Sequence, residues 1–120
     1  MSGFVFVSDA DLLSGTDVLR LRVPAGIEEK STLLEWFRVN LRLPSYFGAN
    51  WDALEECLRD LSWIQEKKIV ISHEDVPLRH DTRQKRTYLD ILRDVARAWS
   101  NDPAHELVIA FDPMCREAVE

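Results

Sequence analysis

The chain is poor in positive charge. Fifteen lysines and arginines stand against 21 acidic residues, for a formal net charge of −6. That balance argues against nucleic acid as a direct ligand, because phosphate binding needs a positive footprint. Long hydrophobic runs are missing too. The N-terminus, MSGFVFVSDAD, has four consecutive apolar residues and no basic segment, which predicts neither a signal peptide nor a membrane span. Cys57 and Cys115 are the only cysteines. They build no disulfide framework and suit a reducing, cytoplasmic setting. Cys57 falls on the apolar side of a helix and Cys115 in a short polar tail. Histidine is equally sparse: His73 and His80 flank Pro77 beside Glu74, Asp75 and Asp81, and His105 follows a turn. Without an HExxH or paired CxxC spacing these read as surface-loop residues, so no metal is expected. Gly48 stands alone, which leaves no phosphate-cradling loop, and no serine sits in a nucleophile elbow. No cofactor is implied.

What is present is an ordinary core. With 120 residues, 46% of them hydrophobic and 30% charged, the chain fits one domain that needs no staples. Phe4 to Val7 is an apolar run, an additional edge strand or an N-terminal arm, and Asp9 to Gly15 a loop or single helical turn. Val18 to Val23 alternates apolar residues with arginine and reads as a strand closed by Pro24 and Gly26. Thr32 to Leu41 reads as a helix, with capping-box spacing from Thr32 to Glu35. A second helix is expected from Trp51 to about Leu61. Lys68 to Ser72 predicts a short strand, and His73 to Thr82 a polar stretch with room for one helical turn. The longest helix is expected over Arg83 to Trp99, its buried side carrying Leu89, Leu92, Val95, Ala96 and Trp99. Ser100-Asn101-Asp102-Pro103 stops it. Glu106 to Phe111, almost wholly apolar, predicts a central strand. This order implies an α/β domain with a mainly parallel three-stranded sheet packed with helices, and a possible extra N-terminal strand.

The most informative stretch is LPSYFGANWDALEECLRDLSW, residues 43 to 63. Asn50 is a good N-cap for the helix beginning at Trp51, and Asp52 in its first turn suits the helix dipole. Leu54, Cys57, Leu58 and Leu61 recur at core spacing. Asp52, Glu55, Glu56 and Asp60 crowd the opposite side, where like charges cost about 0.2–0.5 kcal/mol per pair. A cationic ligand would offset that cost. Just upstream, Tyr46, Phe47 and Trp51 supply aromatics, Phe47 facing inward and Tyr46 able to face outward, while Gly48 is expected in a backbone shape that a side chain resists. An aromatic anchor beside several carboxylates is what a surface receiving arginines and lysines contains.

The same residues carry a resemblance. LPSYFGANWDALEECL, Leu43 to Leu58, resembles the barstar family of ribonuclease inhibitors, in which a proline, two aromatics, glycine and asparagine lead into Asp-Ala-Leu and then Cys-Leu. The order of elements agrees over most of Val18 to Phe111. This divides the chain into an N-terminal extension (1–17), a barstar-like domain (18–111) and a C-terminal tail (112–120). In that family the loop and acidic helix plug a ribonuclease active site. The resemblance places this role on Tyr46, Gly48, Asn50, Asp52 and Glu56. Glu56 stands where the family has its central aspartate, one methylene shorter. Glu55 replaces a tryptophan, Trp51 a smaller apolar residue, and Asp94 is the nearest match to a glutamate of the last long helix. Trp63 corresponds to a tryptophan after the binding helix, with packing an equally good role.

The resulting expectation is an inhibitor that binds a basic ribonuclease, or another cationic protein, through Tyr46, Gly48, Asn50, Trp51, Asp52, Glu55, Glu56, Asp60 and Asp94, without catalysis. Two other functions stay open: a non-inhibitory domain binding a different basic partner, and a small carboxylate or metal-dependent hydrolase. The last needs a dry pocket that drives two carboxylate pKa values apart, which a convex helix face does not offer.

Overall fold

The computed structural model describes residues 3–8, 16–44, 47–100 and 106–119. The elements run β1 (Phe4–Phe6), β2 (Val18–Val23), α1 (Lys30–Asn40), α2 (Trp51–Asp60), β3 (Lys68–His73), α3 (Thr82–Trp99), β4 (Glu106–Phe111), a 3-10 turn (Pro113–Cys115) and α4 (Arg116–Val119). The four strands form one sheet in the order β1-β4-β3-β2, and every pairing is parallel. The sheet therefore has the expected three strands plus the N-terminal one, which lies along the far edge of β4.

Register explains the core. Leu21, Ile71, Ile109 and Phe4 lie in one row across the sheet, and Val23, His73, Phe111 and Phe6 in the next. Side chains alternate faces along a strand, so both rows share one face. That face joins Leu33, Leu34 and Phe37 of α1, Leu54 and Leu58 of α2, and Tyr88, Leu92 and Val95 of α3 in a continuous core. Residues 69–73 of β3 are all buried, as expected for a strand with neighbours on either side. On β2, at an edge, Arg20 and Arg22 are exposed while Leu21 and Val23 are buried.

Several expectations are corrected. Helix α1 starts two residues before Thr32, after Glu29 as N-cap, and no side-chain cap bond forms there. Glu35 instead takes both hydrogen bonds of the Arg38 guanidinium, at 2.6 and 2.9 Å. The buried trio Leu33, Leu34 and Phe37 sets the phase of the helix, and backbone bonding reaches back to the Glu29 carbonyl. The short polar tail that holds Cys115 is packed onto the domain: Cys115 and Val119 are buried. Lys85 Nζ and Arg93 Nη2 donate to the carbonyls of Ala118 and Val119 at 3.2 and 2.6 Å, satisfying groups that the end of a helix leaves open. Ala96 is only half-buried, and Tyr88 and Ile91 join the buried side of α3. The expectations for Asp9 to Gly15 and for Asn101 to Pro103 lie outside the described residues.

His73 departs furthest from expectation. It is fully buried, stacked on Phe111 with ring centroids 4.0 Å apart. Its Nδ1 lies 2.8 Å from the Ala110 carbonyl and its Nε2 2.6 Å from the Tyr88 hydroxyl. A carbonyl can only accept, so Nδ1 carries the proton and Tyr88 donates to Nε2. Burial lowers the His73 pKa to about 4, against a smaller opposing effect of the Ala110 bond, and it pushes the Tyr88 hydroxyl well up. Both groups are thus neutral and fully hydrogen-bonded, which makes their burial tolerable. The following segment is also less polar in its setting than its composition: Val76, Pro77 and Leu78 are buried.

Candidate functional site: the outer face of α2

Helix α2 is held firmly. Asn50 takes an extended backbone and its Oδ1 accepts from the Ala53 N–H at 2.8 Å, a cap worth about 1 kcal/mol. Indole N–H groups then fasten the helix and its exit. Trp51 Nε1 donates to Gln84 Oε1 in the first turn of α3, and Trp99 Nε1 donates to the Leu58 carbonyl, each at 2.8 Å. Trp63 Nε1 donates to the Leu41 carbonyl at the end of α1, also at 2.8 Å. With Leu54, Cys57 and Leu58 buried beneath, both ends of α2 are tied to α3, so its outer side chains project from a fixed base.

That outer face divides into two stripes. Asp52, Glu56 and Asp60 are exposed and follow one another at intervals of four residues, which puts them on one line along the helix. None of the three makes an ion pair with a described residue. Asp60 also sits at the C-terminal end, where the helix dipole disfavours a negative charge. Glu55 belongs to the second stripe and is bound to Arg59, with Arg59 Nη2 3.0 Å from its Oε2. Asp94 of α3 is likewise paired, with Arg97 at 3.0 Å. Trp51 is half-buried. Its ring stands 6.1 Å from that of Tyr88, with Lys30 Nζ 5.4 Å from its centroid, so its body serves packing as well as surface.

Between the acidic stripe and the loop lies a cleft of about 150 Å³, lined by Phe47, Ala53, Glu56, Cys57, Asp60 and Trp63. Its floor is apolar and two of its walls are carboxylates. Burial, and then the nearby Glu56 and Asp60, push the Cys57 thiol up, which leaves it protonated and unreactive. Two shallow hollows lie on the other side, one lined by Asp52, Glu55, Glu56 and Arg59 and one by Arg59, Asp94, Arg97 and Ala98.

Gly48 corrects another expectation. The left-handed backbone belongs to Ala49, at φ 52°, and not to Gly48. A side chain at 48 is resisted by space: its Cβ would stand 3.2 Å from Asn50 Nδ2, crowding the capping residue. Tyr46 lies outside the described residues. Sequence reasoning brought together Asn50, Trp51, Asp52, Glu55, Glu56 and Asp60 on one helix. It missed Arg59, whose spacing from Glu55 was available as a signal, and the cleft, which depends on Phe47 and Trp63, from before and after α2, lining one hollow. Among the described residues no group of histidine, cysteine and carboxylate side chains could hold a metal ion, and no helix is long and apolar enough to cross a membrane.

The family model Barstar, described as Barstar (barnase inhibitor), matches residues 18–111. No curated protein matches the chain. The matched span runs from the first residue of β2 to the last of β4 and contains α1, α2 and α3, leaving β1 and the C-terminal turn outside it. With most of its length matched, and its parallel sheet and N-capped acidic helix inside the match, the chain belongs to the Barstar family.

Proposed function

We propose that this protein inhibits a basic ribonuclease by filling its active-site cleft, and that it does so by binding alone. The observation that carries the reading is the stripe Asp52, Glu56 and Asp60, held on a rigid helix within the family-matched span with no ion pair to a described residue. A ribonuclease cleft is lined with cations that hold phosphodiesters. Carboxylates set at fixed heights stand in for those phosphates through charge-assisted hydrogen bonds. Because the helix is ordered beforehand, little conformational entropy is lost on binding. By their place in the family motif, Tyr46 and the Gly48 loop would cover the mouth of the nuclease cleft, with Asn50 fixing the start of the helix and Trp51 its position. Glu55 and Asp94 contribute from the flank, their charge shared with Arg59 and Arg97. The summed field steers a cationic partner, so the association rate falls as salt rises. A cytoplasmic location accords with two free, buried cysteines.

The test is titration of RNA cleavage by barnase and a panel of other small basic ribonucleases. Suppression that completes at one equivalent of inhibitor, and is lost in an Asp52→Ala/Glu56→Ala double variant, supports the reading. Undiminished cleavage across the panel at stoichiometric concentration rejects it and leaves a binder of some other cationic protein.

A further inference from the structure

Arg59 is a cation placed inside an acidic helix. Its Nη2 lies 3.0 Å from Glu55 Oε2 and its Nε donates to the same oxygen at 3.1 Å. The Nη1 side of the guanidinium has no acceptor among the described residues, and the side chain is 45% exposed. Arg59 is also the wall common to the two hollows on this flank, the one beside Asp52 and Glu56 and the one formed with Asp94, Arg97 and Ala98. In the second hollow Asp94 is held by Arg97, whose own side chain is 75% exposed. Crossing from the Asp52–Glu56–Asp60 line toward α3, the surface thus changes from uniformly negative to alternating: Glu55, Arg59, Asp94, Arg97.

Resting on the inhibitor reading, we infer that Arg59 is the specificity-determining residue of this face. It penalises a partner whose cleft edge is positive throughout, and it favours one that presents a carboxylate among its cations. The reason is geometric and electrostatic. A guanidinium is never deprotonated and offers a planar set of donors, so the side not committed to Glu55 suits a carboxylate oxygen. A cation of the partner facing it meets like charge while losing water, which discriminates strongly against the wrong partner. Glu55 offsets part of this charge, but both of its contacts fall on one edge of the guanidinium, so the Nη1 donors stay turned toward a partner. The acidic stripe supplies attraction to any basic protein; the alternating flank chooses among them.

Two peptides of equal length provide the probe at low ionic strength: nona-arginine, positive throughout, and a (Arg-Asp-Arg)3 peptide with interspersed carboxylates. Relative to wild type, Arg59→Gln is expected to shift the preference toward nona-arginine by about tenfold, and Arg59→Glu to shift it further. An unchanged preference in both variants overturns the assignment, as does failure of wild type and variants to bind either peptide. The parent reading fails separately. If Asp52→Asn/Glu56→Gln binds nona-arginine as tightly as wild type, the acidic stripe is not the attracting surface, whatever Arg59 does. Circular dichroism melts of each variant confirm that the fold is intact, as expected for exposed side chains.

Discussion

Helices α2 and α3 expose the same residue types and treat them in opposite ways. On α3 the acids are spent internally, Asp90 on Arg93 at 3.3 Å and Asp94 on Arg97 at 3.0 Å. Glu35 and Arg38 do the same on α1. On α2 the single arginine takes Glu55, and Asp52, Glu56 and Asp60 stay open among the described residues. Surface pairs such as those on α3 are worth little to stability, about 0–1 kcal/mol. Unpaired crowding on α2 is slightly unfavourable, and a cationic partner would offset it. On the proposed reading, the difference separates a solvated surface from a docking one more clearly than the number of charges does.

The comparison can be broken most decisively by removing the open carboxylates. If the proposed function holds, Asp52→Ala and Glu56→Ala are each expected to cost about 2–5 kcal/mol of affinity for the partner nuclease, a general range for buried charge pairs to which this family's own complex has contributed. Calorimetric titration measures that loss, and thermal melts of the same variants should stay close to wild type. The inner side of the same helix should behave inversely. Leu58 is fully buried, so Leu58→Ala is expected to cost about 2–5 kcal/mol of folding stability, read from urea unfolding at neutral pH.

Acid provides a third test, at the buried centre. The His73 pKa falls to about 4 from an ordinary 6.5, so the unfolded chain binds the proton first. The contribution is complete above about pH 6.5 and is lost as pH falls toward 4, on the order of 3 kcal/mol. Urea unfolding across this range, compared with His73→Gln, isolates the component; identical slopes for the two proteins would refute it. Asn50→Ala should have a smaller effect, about 1 kcal/mol of stability, with a further loss of affinity if the cap sets the height of Asp52. Smallest of all, Asp94→Asn breaks only the exposed pair with Arg97. It is expected to change stability by less than about 1 kcal/mol, and a double-mutant cycle with Arg97→Gln measures it.

Much of this was legible in local pattern. Strand β2 and helix α2 follow from periodicity and punctuation: alternating apolar residues closed by Pro24, and Asn50 placed before a stripe of leucines. The central place of β4 follows from its nearly unbroken apolar run, ELVIAF. His73 was not legible, because its sequence neighbours are polar and its partners, Ala110 and Tyr88, come from β4 and α3. The burial of Cys115, placed by its sequence in a short polar tail, was not legible either. The Thr32 to Glu35 spacing was a real local signal that lost to another, Glu35 with Arg38, once the helix started earlier. At the loop, glycine drew attention while Ala49 took the left-handed backbone. That choice depends on how the chain must turn to bring Asn50 onto α2.

The sequence alone determined which residues could share a face, since helical and strand periods are properties of the local backbone. It therefore placed Asp52, Glu56 and Asp60 together and set them opposite Leu54 and Leu58. Tertiary structure decided which charges remain open, which aromatic groups brace α2, and which polar residues go inside. Those outcomes depend on distances between elements far apart in the chain. Trp99 reaching Leu58 across 41 residues, or His73 meeting Ala110 across 37, exists only once the sheet and helices have closed on one another.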